Sequence, residues 1–359
     1  MCAARCVFHV HSHLTALLRC AAAVSALSLA SCDESTTSKA PPTSALTLAE
    51  FDDSTRAIET YIAANRTREA ELIARKLLEH ATEIDASAQF GRRAHEYAAR
   101  AFFARAELAK AELSHRDREQ LVREAAAEAA LASVAPAPVE TIRFAAMLAD
   151  QVGNRPQAQE LYERAVDAAP TDIATLLPAV FSALACDATN ARVDRYAALH
   201  TESAPDAAWT AGLHAEIALA RNEPARALEF ALTATQRDND ALEFRMILAK
   251  ALRANHRAVD AARMLSALTP QERARPALAL QFALALAESN DLPAAAKAWE
   301  AALAANPDDA YTRAETALAF LRIGDTTRAA VELDALNVLY GGATQRVRIE
   351  PLIAALRSK

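Results

Sequence analysis

The chain has 359 residues, 52% of them apolar but only 5% aromatic, with six glycines and 39 Lys+Arg against 46 Asp+Glu. A composition rich in Ala, Leu, Glu and Arg, with few glycines, favours helix at nearly every step and offers little material for strands. The acidic balance, with both signs interspersed as at Arg116, Asp117, Arg118 and Glu119, argues against nucleic acid as a partner.

Residues 1–31 hold no Asp or Glu, carry Arg5 and Arg19, and end in an apolar and small run from Cys20 to Ser31. A basic stretch followed by roughly a dozen apolar residues is too short to cross a bilayer of about 30 Å and reads as an export signal. It closes on Leu29, Ala30, Ser31 and Cys32, which resembles the lipobox of bacterial lipoproteins. The resemblance implies cleavage before Cys32, lipidation of its thiol, and a membrane as one partner, because several acyl chains together anchor stably. Asp33 and Glu34 then imply the inner membrane, with the chain facing the periplasm. Processing would remove Cys2, Cys6, Cys20 and the alternating histidines from His9 to His13, and with them an apparent metal site. Cys186 remains as a lone thiol, and its neighbours Leu184 and Ala185 predict a small buried hydrophobe. Residues 32–50, rich in Ser, Thr and Pro, are expected to form a flexible tether.

From Phe51 onward the chain repeats. Ala227, Ala261, Ala295 and Ala329 each follow the last by 34 residues, and Pro136, Pro170, Pro205 and Pro307 keep nearly the same register. Each unit reads as two antiparallel helices. In the unit from Val139 to Asp172 the first helix stops at Gly153 and the second runs from near Pro156 to Pro170. Asn222, Asn290 and Gly324 take the place of Gly153 in later units, and Gly and Asn are the residues that best tolerate a left-handed helix stop. Asp52 and Asp53, like Asp308 and Asp309, are placed at helix starts as caps.

The pattern Ala283, Leu286, Ala295, Trp299, Ala302 and Pro307 resembles the tetratricopeptide repeat, with small residues where paired helices touch and larger ones between. Ala146, Ala149, Ala158, Tyr162, Ala165 and Pro170 repeat it, and so do Ala317, Phe320, Gly324, Ala329, Leu333 and Leu336, with a larger last member. The unit from Ile173 to Asp206 departs, with Arg192 or Val193 where alanine is expected. The resemblance implies an all-α fold, a right-handed α-solenoid of helix hairpins. About eight helix pairs would span residues 51–342, with a capping helix over 343–359.

Catalytic constellations are missing from this pattern. The sequence holds no HExxH, GxSxG, Walker-type or GxGxxG motif, and His95, His200, His214 and His256 fall in separate repeats, as lone surface or groove residues. No enzyme activity, cofactor or metal is expected. Projecting the repeat onto its concave face selects Arg143 and Met147, then Trp209, then Met246, Lys250 and Arg253, and lastly Leu280, Leu284, Tyr311, Leu318 and Leu321. This describes a groove with a basic middle and an apolar C-terminal end, open to a protein or peptide partner. The functional expectation is a membrane-anchored scaffold of the cell envelope, with a receptor for an extended peptide or glycan as the alternative.

Overall fold

A computed structural model describes residues 48–81, 89–109, 112–134, 136–339 and 342–357. Cys32, the leader before it and the tether up to residue 47 lie outside the described residues. Among the described residues there are eighteen helices and no strand, so the fold is all-α. No helix among them is long and apolar enough to cross a membrane.

The chain forms two compact units, divided between Ser203 and Ala204, a division the repeat pattern did not suggest. The first holds α1 (Leu48–Ala63), α2 (Thr67–Ala81), α3 (Gln89–Leu108), α4 (His115–Ala132), α5 (Val139–Gln151), α6 (Arg155–Ala168), α7 (Ile173–Cys186) and α8 (Ala191–Ser203). The second holds α9 (Ala208–Ala220), α10 (Pro224–Arg237), α11 (Leu242–Ala254), α12 (Ala258–Ser266), the single-turn α13 (Pro270–Arg273), α14 (Pro276–Glu288), α15 (Leu292–Ala305), α16 (Ala310–Arg322), α17 (Thr326–Leu336) and α18 (Gly342–Arg357). Within each unit consecutive helices pack as hairpins, and first helices also touch the first helix of the next hairpin, as α9 does α11 and α11 does α14. That second set of contacts turns separate hairpins into a stack.

One turn recurs between the helices of a hairpin. Asn65, Gly153, Asn222, His256, Asn290 and Gly324 all adopt φ between 57° and 83°. In each case the next residue donates its N–H to a carbonyl five residues back: Arg66 to Tyr61, Asn154 to Ala149, Glu223 to Ala218, Arg257 to Leu252, Asp291 to Leu286 and Asp325 to Phe320. This is the Schellman closure, which satisfies carbonyls that a helix end would leave open. Asp291 and Asp325 then serve a second purpose, since their carboxylates accept from the N–H of Ala294 and Arg328 and so cap the following helix. A single residue thus ends one helix and starts the next, which keeps the hairpin tight.

The core is made mainly of alanine. Ala227, Ala261, Ala295 and Ala329 are all buried, and the bulk between hairpins comes from Tyr162, Phe244, Trp299 and Phe320. Four placements differ from the sequence reading. Asp52 and Asp53 are no caps, because α1 begins at Leu48; they lie inside that helix and pair with Arg93 and Arg56. Asp309 does cap α16, accepting from the N–H of Tyr311 and Thr312. Cys186 is exposed rather than buried, because it is the last residue of α7, past the stretch Thr175–Ala183 that the neighbouring helices cover. His200 is fully buried on α8 and is no surface histidine. In the irregular unit Val193 is buried where alanine was expected, and α7 carries Pro178 in its interior. The proline is tolerated because α7 is apolar along nearly its whole length and held by packing instead of by every backbone bond.

Two stability effects follow. Ala261→Leu, which forces three more carbons into a closed helix contact, is expected to cost about 1–3 kcal/mol in chemical denaturation. His256 is the one non-Gly, non-Asn residue holding a left-handed turn among the described residues. His256→Gly should therefore stabilise by up to about 1 kcal/mol, and Gly324→Ala should destabilise by about the same. Equal and small effects at both positions would contradict the turn analysis.

Candidate interaction surface

The predicted groove residues fall in two units and are described separately. In the first, the Arg143 guanidinium donates to Asp172 at 2.7 Å and reaches the Thr175 hydroxyl at 3.5 Å. Its charge is spent tying α5 to the start of α7. Met147 is buried and presents no surface.

In the second unit Trp209 is half-buried and meets Phe244 edge-on, with ring centroids 5.1 Å apart, so it joins α9 to α11. Met246 is buried. Lys250 donates to Glu216 at 2.6 Å, and both side chains are only 12% exposed. Arg253 donates to Glu288 at 2.5 Å and to the Gln281 carbonyl oxygen at 2.6 Å. Lys250 therefore fastens α11 back to α9 and Arg253 fastens it forward to α14. The expected basic middle is in fact charge-paired, because each cation has an acid one repeat away. Glu216 precedes Lys250 by 34 residues, the length of one repeat, so the spacing that exposed the fold could also have revealed this pair.

The apolar end has two parts. Leu318 is buried against Ile349 and Ile353 of α18, so that helix covers it. Leu280 and Leu284, one turn apart on α14, are half-buried and keep part of their surface open, as do Tyr311 and Leu321 on α16. Arg348 of α18 lies over the Tyr311 ring, 4.9 Å from its centroid, and donates to Glu315 at 2.7 Å. A short apolar floor thus runs across two successive first helices, bordered by the Arg253, Gln281 and Glu288 cluster. It suits an apolar side chain flanked by polar backbone, as a docking peptide or helix would supply.

The four histidines are accounted for structurally. His95 lies 2.6 Å from a Glu128 oxygen between α3 and α4. His200 is buried. His214 stacks on Phe230, and burial, assisted by the Arg226 charge, lowers its pKa below the usual histidine value. His256 holds a turn. Among the described residues no group of three or more His, Cys, Asp and Glu is placed to hold a metal.

The sequence reading missed one further feature, a shallow depression of about 400 Å³ in the first unit, lined by residues that include Arg155, Gln159, Glu163, Cys186 and Arg192. Its arginines are engaged, Arg192 with Glu163 at 2.6 Å and Arg155 with Asp150 at 3.4 Å. Cys186 Sγ accepts weakly from Gln159 Nε2 at 3.8 Å.

Comparison with known proteins gives the fold. No family model matches the chain, and no curated protein matches it in sequence. Among solved structures the chain is similar to a tetratricopeptide repeat protein from Parabacteroides merdae, at 11% identity and TM-score 0.50, covering 73% of this chain and 99% of that one. A chain of the APC/C hetero-tetramer Cut9–Hcn1 is similar at 13% identity and TM-score 0.51, covering 86% of this chain and 55% of that one. Human IFIT1, solved as a dimer with m7Gppp-AAAA, is similar at 11% identity and TM-score 0.50, covering 82% and 74%. At these identities the likeness concerns the fold, which is that of stacked tetratricopeptide-type hairpins.

The Glu216 and Lys250 pair can be tested directly. Lys250→Met, which strands a nearly buried carboxylate, is expected to cost about 2–3 kcal/mol. Glu216→Gln with Lys250→Met should cost less than the sum of the two single changes. Strict additivity in that double-mutant cycle would mean the pair contributes nothing.

Proposed function

We propose that this chain is a lipid-anchored scaffold of the bacterial cell envelope that holds a protein partner through the first-helix surface of residues 204–357. The observation that carries the binding part is the half-buried apolar floor of Leu280, Leu284 and Tyr311, part of it open and bordered by fixed charges. Stacked hairpins suit this role because their first helices form one continuous face, rigid enough that a partner is not charged with ordering it. Support for the anchor comes from the acid-free leader and the Leu29, Ala30, Ser31, Cys32 sequence. Asp33 favours the inner membrane. No step in this reading needs a cofactor or a catalytic residue.

The internal pairing of Lys250 and Arg253 shapes the expected partner. With those cations neutralised, a highly acidic ligand gains little, and the surface favours apolar anchors such as Leu or aromatic side chains on a helix or extended segment.

Affinity capture from crosslinked envelopes tests both parts. The lipidated chain should enrich one envelope protein, and Leu284→Glu should reduce its recovery at least tenfold while circular dichroism keeps the helical signal. Cys32→Ala should move the protein from the membrane fraction to the soluble one. Unchanged recovery with Leu284→Glu would remove this face from the interaction. Saturable binding to a purified glycan, lost on Tyr311→Ala, would replace the scaffold with a polymer receptor.

A further inference from the structure

The ion pairs that join first helices in residues 204–357 sit at fixed places in the repeat, so the junction that lacks one can be read off the register. Glu216 and Lys250, 34 residues apart, join α9 to α11, and Arg253 with Glu288 joins α11 to α14. Between α14 and α16 the same places hold other residues. Leu284 and Leu318 stand two repeats on from Glu216 and Lys250, and Ala287 and Arg322 stand one repeat on from Arg253 and Glu288. Among the described residues no ion pair joins α14 to α16, and these two helices approach each other less closely than α11 and α14 do.

The same junction carries the partly open apolar residues Leu280, Leu284, Tyr311 and Leu321. Arg322 follows Leu321 at its edge, is exposed, and its guanidinium has no hydrogen-bond or ion-pair partner among the described residues. The arginines around it differ, since Arg253, Arg313 and Arg348 are each held by a carboxylate. Ala287 offers only a methyl group at the place from which Arg253 reaches across the preceding junction. A cation in the last turn of α16 suits the carbonyl end of that helix. That accounts for the charge of Arg322, and leaves unexplained why the acid that would complete the junction is missing.

We propose that a protein partner completes this junction from outside, laying an apolar side chain on Leu284 and Tyr311 and setting one carboxylate on Arg322. The proposal rests on the reading of this face as the binding surface, and adds the chemistry of what binds there. The partner segment carries an Asp or Glu close to a Leu, Met or aromatic anchor. Charge complementarity selects it. A partner that covered the apolar floor without an acid would strip water from the Arg322 guanidinium and give nothing back, whereas a carboxylate can meet it with two hydrogen bonds. A run of acids would gain little more, because Lys250, Arg253 and Arg348 are already neutralised within the chain.

Selection of a random peptide library on the full-length chain, repeated on its Arg322→Glu variant, tests the proposal. Peptides retained by the unaltered chain and lost on Leu284→Glu should share an apolar residue and an Asp or Glu at a constant spacing. On Arg322→Glu the selected acid should give way to Lys or Arg. In fluorescence anisotropy Arg322→Glu should weaken the consensus peptide about tenfold, and changing the peptide's acid to Lys should restore it. Lys297→Glu, a charge control on the exposed side of α15, should leave affinity unchanged, and all variants should keep the same circular dichroism. Leu284-dependent peptides with no acid in common, or the same acidic peptides selected on Arg322→Glu, would overturn this proposal while keeping the face as the binding surface. Recovery of no Leu284-dependent peptide would overturn both.

Discussion

Close approach of helix backbones is the constraint from which the remaining features follow. A helix pair held at alanine distance gains dispersion contacts over its whole length, but each alanine buries little area by itself. The hairpin consequently cannot be stable alone, and the large side chains Trp299, Phe320 and Tyr162 are placed where one hairpin meets the next. Stacking is thus a requirement of the sequence as much as a consequence of it. The turn answers the same need, since a short reversal, three residues in each of these hairpins, keeps the two helices in register and near enough for alanine contacts. The left-handed residue supplies that reversal.

Charge is used in a related way. Lys250 with Glu216 and Arg253 with Glu288 each join first helices from different hairpins; the first pair is nearly buried on both sides, whereas in the second only the arginine is. Apolar area between alanines is permissive about sliding, and a hydrogen-bonded ion pair is not. These pairs fix the register of the stack at a modest net gain, because desolvation offsets much of their attraction. The cost falls on binding, as cations that hold the scaffold together are no longer free to attract a ligand. What remains open on that face is its apolar part.

The sequence showed the fold more readily than the surface. The alanine ladder and the Gly or Asn stops are periodic, and periodicity is visible without coordinates. His256 was passed over because histidine has no intrinsic liking for positive φ; only its register with Asn222 and Asn290 marks it. Cys186 looked buried because its neighbours are apolar, yet one residue past the end of a covered stretch is enough to expose a side chain. Lys250 and Arg253 looked like a basic groove because a projection shows which face a residue takes, and says nothing about the acid one repeat away that neutralises it. Met147 and Met246 failed for a simpler reason. Helix contacts in a stack are wide, so side chains at the edge of the concave face are drawn into the contact between hairpins.

A stack of like units has a difficulty at its ends that its interior does not share. Each hairpin covers its neighbour's apolar face, and the hairpin of α16 and α17 has no further hairpin packed on it among the described residues. Here α18 takes that place: Ile349 and Ile353 are set against Leu318, Leu333 and Leu336, so the last hairpin described is closed by a single helix in place of a second hairpin.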